Sequence, residues 1–196
     1  VYSGATKGWT PVSDIVSALE PVAPPTQRAL FGYGATSGGK ISVTNLVSSS
    51  GVVAADVTGV GTARGDLAAA GYGSDKAIFG YGRTGSNLSM TNLVNNSGVV
   101  AADTTGVGTA RWGLGAANYG NDKAIFGYGT TGSNSSLTNL VSSSGVVASD
   151  TAGVGTARYY TAGVSYGEDK AIFGYGYNGG NLSLTNLVSN LGVVSA

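Results

Sequence analysis

The octapeptide Asp-Lys-Ala-Ile-Phe-Gly-Tyr-Gly stands at Asp75–Gly82 and returns unchanged at Asp122–Gly129 and Asp169–Gly176. A worn version, Gln-Arg-Ala-Leu-Phe-Gly-Tyr-Gly, stands at Gln27–Gly34. The phenylalanines of the four copies, Phe31, Phe79, Phe126 and Phe173, are 48, 47 and 47 residues apart. Arg64, Arg111 and Arg158 keep the same 47-residue step. The chain is therefore a repeat array, and one unit cannot bury its apolar faces without its neighbours.

Each unit contains four short segments with strand character. In the second unit these are Asp66–Gly73 (DLAAAGYG), Lys76–Gly82 (KAIFGYG), Leu88–Val94 (LSMTNLV) and Gly98–Gly106 (GVVAADTTG). Each is bounded by Gly, Ser, Asn or Asp, which punctuate strands. Val, Ile, Thr, Tyr and Phe favour extended backbone, and glycine every few residues works against helix. Four short strands in 47 residues fit a propeller blade or a coil of a β-solenoid.

Strict alternation through Ala-Ile-Phe-Gly-Tyr-Gly puts Ala77, Phe79 and Tyr81 on one face and Ile78, Gly80 and Gly82 on the other. Glycine weakens a strand and marks close approach by a neighbour. The expectation is a large-into-small fit between identical units, with Phe on one face entering the space over Gly on the next. Burial is expected at Phe79, Phe126 and Phe173 and at Ile78, Ile125 and Ile172.

Composition restricts function. Lys+Arg and Asp+Glu number 10 each, the net charge is zero and only 10% of residues are charged. No basic stripe exists to neutralise phosphates, which argues against nucleic acid. No apolar run approaches the roughly 18 residues of a membrane span, so no membrane insertion is expected. Without Cys or His, disulfide frameworks, zinc-thiolate sites and His-based catalytic arrangements are out of reach. Thirteen of the twenty charged residues fall in four repeat columns. These are the Arg64, Asp56 and Asp75 columns and the Lys76 column, which includes Arg28. A catalytic acid and base need unlike environments, so repeated columns read as structural pairs and turn fixtures. The expectation is no enzyme, no catalytic residue, no cofactor and no metal, although Asp/Asn/Gly turns keep calcium open as an alternative.

The Arg, the apolar strand ending in paired glycines and the polar later strands resemble the kelch repeat, across Ser17 to Ala196. Here the glycines are separated by Tyr, and the usual outer-strand Trp is missing. More narrowly, the Ile-Phe-Gly units joined by Thr/Gly-rich stretches resemble kelch-like repeats in virion proteins and tail fibres of marine bacteriophages. The N-terminal VYSGATKGWTPVSD is similar to short Gly-Trp segments that precede such repeats.

The resemblance implies an all-β fold, a kelch-like β-propeller of about four four-stranded blades, with a β-solenoid as the alternative. Residues 1–16 read as an N-terminal extension or closing strand, and 17–196 as the repeat, in units of about 17–64, 65–111, 112–158 and 159–196. Ser17–Pro25 aligns with the first strand of the next unit as a degenerate copy. The implied role is a structural virion component, a tail fibre or surface appendage presenting a host-recognition surface. Its partners would be other virion proteins or copies of itself, and a host glycan or receptor. The alternative is a non-viral, lectin-like propeller, secreted or at a cell surface.

Recognition is expected where the repeat varies on a rigid frame. Lys40, Arg83, Thr130 and Tyr177 vary after Gly-Tyr-Gly; Trp112, Tyr159 and Tyr160 break the pattern after the Arg. Tyr72, Tyr119 and Tyr166, each before a glycine, read as packing groups with a rim role as the alternative. The two variable groups leave consecutive elements at opposite ends, so a single patch is not required.

Overall fold

A computed structural model describes residues 29–195. All regular structure in this span is β. The first unit pairs β1 (Ala29–Thr36) with β2 (Gly39–Val47). The second forms a sheet of β3 (Ala68–Tyr72), β4 (Lys76–Gly80) and β5 (Thr91–Val94). The third comprises β6 (Gly115–Tyr119), β7 (Lys123–Gly127) and β8 (Thr138–Val141). The fourth comprises β9 (Ala162–Tyr166), β10 (Lys170–Gly174) and β11 (Thr185–Val188). Every pairing is antiparallel, and the Lys-Ala-Ile-Phe-Gly strand is central in each three-stranded sheet.

Four strands per unit is thus an overcount for the described residues. The fourth segment follows the sheet through isolated bridges, Thr91↔Thr104 and Val94↔Val100 in the second unit. The degenerate strand at Ser17–Pro25 and the extension at 1–16 lie outside the described residues. The first two strands of a unit are joined through Gly73, Ser74 and Asp75, with Gly73 and Ser74 in the left-handed region (φ 57° and 66°). The turn role expected for Asp75 holds there.

The core is distributed over the joints between successive units. Tyr33 packs with Phe79, Val94 and Val100 at the first joint. Tyr81, Ile78, Leu114 and Phe126 share the second, and Ile125, Tyr128, Phe173 and Val188 the third. Each joint has a ring against a bare backbone. A Cβ built on Gly32, Gly80 or Gly127 would stand 2.9, 2.6 or 2.7 Å from Cζ of Phe79, Phe126 or Phe173 of the following unit. Only hydrogen fits. Ile78 and Ile125 are fully buried on the glycine face; Ile172, in the fourth unit, is half-buried, with no further unit packed on it among the described residues.

The tyrosine of Gly-Tyr-Gly does not continue the alternation. β4 stops at Gly80, and Tyr81 takes φ 63°, as Tyr33, Tyr128 and Tyr175 do in their units. That left-handed turn, uncommon for a bulky residue, swings the ring to the glycine side. Tyr81 meets Phe126 edge-on at 5.2 Å between centroids, and Tyr128 meets Phe173 at 5.3 Å. Glycine and tyrosine together form the socket for the next phenylalanine.

A buried arginine locks each joint. Arg111 is fully buried, and its Nε donates to Tyr128 O (2.8 Å), Nη1 to Thr109 O (3.1 Å) and Nη2 to Asn139 Oδ1 (2.7 Å). Its guanidinium lies 4.6 Å over the Tyr81 ring of the second unit, whereas Tyr128 and Asn139 belong to the third. Arg64 over Tyr33 and Arg158 over Tyr128 repeat the arrangement at 4.4 and 4.0 Å. A carboxylate adds a second tie: Asp103 Oδ2 accepts from Thr62 N (2.9 Å) and Thr62 Oγ1 (2.7 Å) on the irregular segment leaving the previous unit. These repeated charges are joint fasteners.

Candidate functional site: a strip across the units

The variable positions converge because of one backbone feature. In each later unit the residue after the Arg bridges the residue after Gly-Tyr-Gly, as Gly65↔Arg83, Trp112↔Thr130 and Tyr159↔Tyr177. Both variable groups therefore leave the sheets at the same end. The two sets form one strip, where the sequence alone has them leaving consecutive elements at opposite ends without requiring a single patch.

The strip crosses all four units through side-chain contacts. Lys40 of the first unit approaches Asp66 of the second (Nζ–Oδ2 3.9 Å). Arg83 Nε donates to the same Oδ2 at 2.7 Å. The Arg83 guanidinium lies over the indole of Trp112 in the third unit, its Cζ 3.7 Å from the ring centroid. Trp112 meets Tyr159 and Tyr160 of the fourth unit edge-on at 5.3 and 5.6 Å. Tyr159 meets Tyr177 at 5.7 Å. Backbone bonds hold the row in register: Gly113 N donates to Asp66 O (2.8 Å) and Tyr160 N to Gly113 O (2.7 Å).

All six side chains singled out in the sequence, Lys40, Arg83, Trp112, Tyr159, Tyr160 and Tyr177, lie in this row. Tyr160 and Tyr177 are exposed, and Lys40, Arg83, Trp112 and Tyr159 are half-buried. Thr130 is different. It is buried, its Oγ1 accepts from Gly132 N (3.1 Å), and it presents nothing to solvent. Tyr72 and Tyr119 are buried packing groups, while Tyr166 of the last unit is exposed.

The row is graded in chemistry. Its first half is cationic around one carboxylate, with Asp66 shared by Lys40 and Arg83. Its second half is aromatic and ends in an open cleft of about 530 Å³ lined by Tyr159, Tyr160, Tyr175, Tyr177, Asn181 and Leu182. Aromatic faces with flanking hydroxyl and amide groups stack on apolar ring faces and hydrogen-bond the polar edges of a ligand. Two contributors escaped the sequence reading. Asp66 lacks a repeat counterpart and shows its role only once Lys40 and Arg83 are placed. Tyr175 belongs to a column whose other members are buried, so nothing local marks it as accessible. Among the described residues no cluster of three or more His, Cys, Asp or Glu is placed to hold a metal ion.

The joint environment shifts ionisation. Burial pushes the Tyr81 phenol up to about 12, against the partial offset of nearby Arg111. Burial likewise lowers Arg111, although Tyr81 and Asp150 hold it charged. For Asp103, burial acts upward, but bonds from Thr62 and Asn92 and the charge of Arg64 outweigh it and leave the carboxyl below its ordinary value. Asp150 behaves the same way with Thr109, Asn139 and Arg111. These perturbed groups serve the joints and lie outside the strip. Comparison with protein-family models and with curated proteins finds no match.

Proposed function

We propose that the protein is a non-catalytic structural module that carries a recognition strip on a rigid repeated frame. Its units are blades of a kelch-like propeller. Each unit closes its own antiparallel sheet and packs on the next in chain order, which supports blades over solenoid coils. The observation that carries the reading is the convergence of the repeat-variable side chains into one aromatic and cationic row. Residues that differ among otherwise copied units gather at one end of the sheets, where loops on a fixed scaffold recognise partners.

The sequence resemblance assigns the module to a virion surface appendage of a bacteriophage, such as a tail fibre, with a host glycan or receptor as the target. Weak single-site binding would be multiplied by repeated display through avidity. No reaction step, cofactor or metal enters this mechanism; the strip works by stacking and hydrogen bonding. The cleft at Tyr159, Tyr160 and Tyr177 favours a second reading, a lectin-like module without a viral context.

The test uses Tyr160→Ala, Tyr177→Ala and Arg83→Ala, whose side chains reach solvent. Each variant should fold normally by circular dichroism and lose about 1–2 kcal/mol of binding, on the order of tenfold, as interface anchors do. Binding is read on a glycan array and by adsorption to host cells. Lost adsorption supports the virion reading, and glycan binding without host adsorption supports the lectin-like one. Unchanged binding in all three variants removes the strip from recognition.

A further inference from the structure

Among the described residues four units make three joints, and the two outer units each keep half of a further one. In the fourth unit no described ring fills the socket. Gly174 is buried in its central strand, yet among the described residues a Cβ there would meet only Thr185 Cγ2, at 3.7 Å, where the equivalent glycines each meet a phenylalanine ring. Tyr175 is 63% exposed, whereas Tyr81 and Tyr128 are fully buried under the following arginine. Gly34, Gly82 and Gly129 each donate their N–H to the carbonyl of Arg64, Arg111 or Arg158 in the joint that follows, at 3.0, 3.0 and 2.9 Å. Gly176 N has no such arginine carbonyl among the described residues. The row Val164–Ile172–Leu187 across the last sheet is exposed at both ends, while its copy Ala117–Ile125–Leu140 packs in the third joint.

The first unit has an unused knob. Phe31 pairs with Asn45 in the register that Phe79 keeps with Asn92, yet Phe31 is 64% exposed and Phe79 is buried. Val53 of the same unit is exposed, whereas its copy Val100 is buried in the cluster with Tyr33 and Phe79. Among the described residues, the first unit carries a knob without a socket and the fourth a socket without a knob. The three filled joints show what such a socket accepts.

We infer that the exposed face of the last unit docks the first unit of a second copy of this chain, head to tail, with Phe31 of the partner subunit seated over Gly174. The contact joins unlike surfaces, so it propagates, closing into a ring or extending as a filament. Forty-eight residues before Arg64 stands Val16, so the copy-to-copy joint lacks the arginine clamp. It is weaker than the internal joints and depends on concentration.

Two capping variants test this. Gly174→Val fills the socket with a strand-compatible side chain where the free molecule has room. Phe31→Ser removes an exposed knob. Sedimentation velocity over a wide concentration range should show the natural sequence growing beyond dimers or forming one discrete ring. Each variant alone should remain monomeric with an unchanged near-ultraviolet dichroism spectrum. Mixed, they keep one working knob and one working socket between them and should form 1:1 dimers and nothing larger. A natural sequence that stays monomeric at every concentration overturns the inference; that is the result expected if the face takes a foreign partner. So does a variant that associates as the natural sequence does, or a mixture that remains monomeric.

Discussion

The guanidinium of Arg111 lies 4.6 Å over the ring of Tyr81 in the second unit, while its Nε and Nη2 bond Tyr128 and Asn139 of the third and its Nη1 bonds Thr109 of the linker between them. One side chain therefore ties sheet, linker and neighbour. Its charge is buried, and its carboxylate partner Asp150 stands at 3.8 Å on the partly exposed side. Replacing Arg111 by Ala should cost about 3–5 kcal/mol, the range for removing one partner of a buried charged network. The loss is read from urea unfolding midpoints. Arg83, on the surface, should cost no more than about 1 kcal/mol when replaced by Ala, so the two arginines separate fastening from display.

Phe126 fills the second joint completely buried. Phe126→Ala should destabilise by about 3–5 kcal/mol, from lost transfer energy and the cavity left beside Gly80 and Tyr81. Phe31→Ala, in the same register but exposed, should change the stability of the isolated chain by less than about 0.5 kcal/mol. Thermal unfolding of dilute samples checks both.

How much of this was legible beforehand differs by residue. The phenylalanine-to-glycine fit could be read because copied units must be self-complementary, and alternation along Lys-Ala-Ile-Phe-Gly is a local property. The side taken by Tyr81 could not be read, since its left-handed turn breaks the period that an extended strand imposes. The union of Arg83, Trp112 and Tyr159 into one row also escaped. It depends on bridges such as Trp112↔Thr130 between segments 18 residues apart, which no local pattern specifies. The incomplete burial of Ile172 and the exposure of Tyr175 depend on what packs against the fourth unit, a property of the array and not of the motif.

Acid should loosen the joints through Asp103 and Asp150. Their folded pKa values lie below the ordinary 3.8. The unfolded chain therefore takes up protons first as pH falls. Their stabilising contribution is fully present above pH 3.8 and is lost as pH drops through the depressed folded values. Unfolding midpoints measured from neutral pH downward should fall in that window. Asp103→Asn should flatten part of the decline, and an unchanged slope in that variant would assign acid sensitivity elsewhere.

Alkali acts on the tyrosines from the opposite direction. Tyr81 is held up to about 12 by burial, above its ordinary 10.0, and Tyr33 and Tyr128 are raised for the same first cause. A raised folded value means stability that is full below pH 10 and is lost as pH climbs through the folded pKa. Phenolate absorbance should show the joint tyrosines Tyr33, Tyr81 and Tyr128 ionising late and together with unfolding. Ionisation of these three before unfolding would contradict buried sockets.

The measurement that bears most directly on the interlocking account is a comparison of Gly80→Ala, Gly127→Ala and Gly174→Ala by unfolding at low protein concentration. The three glycines share one motif position, and none has a positive φ. They differ in what a methyl group would meet: Phe126 Cζ at 2.6 Å, Phe173 Cζ at 2.7 Å and Thr185 Cγ2 at 3.7 Å. The account predicts losses of about 1–3 kcal/mol for the first two, the usual range for overpacking a filled core. Gly174→Ala should be neutral or slightly stabilising, because the methyl makes only an ordinary contact with Thr185. Equal effects at all three positions would contradict a knob-and-socket joint between units.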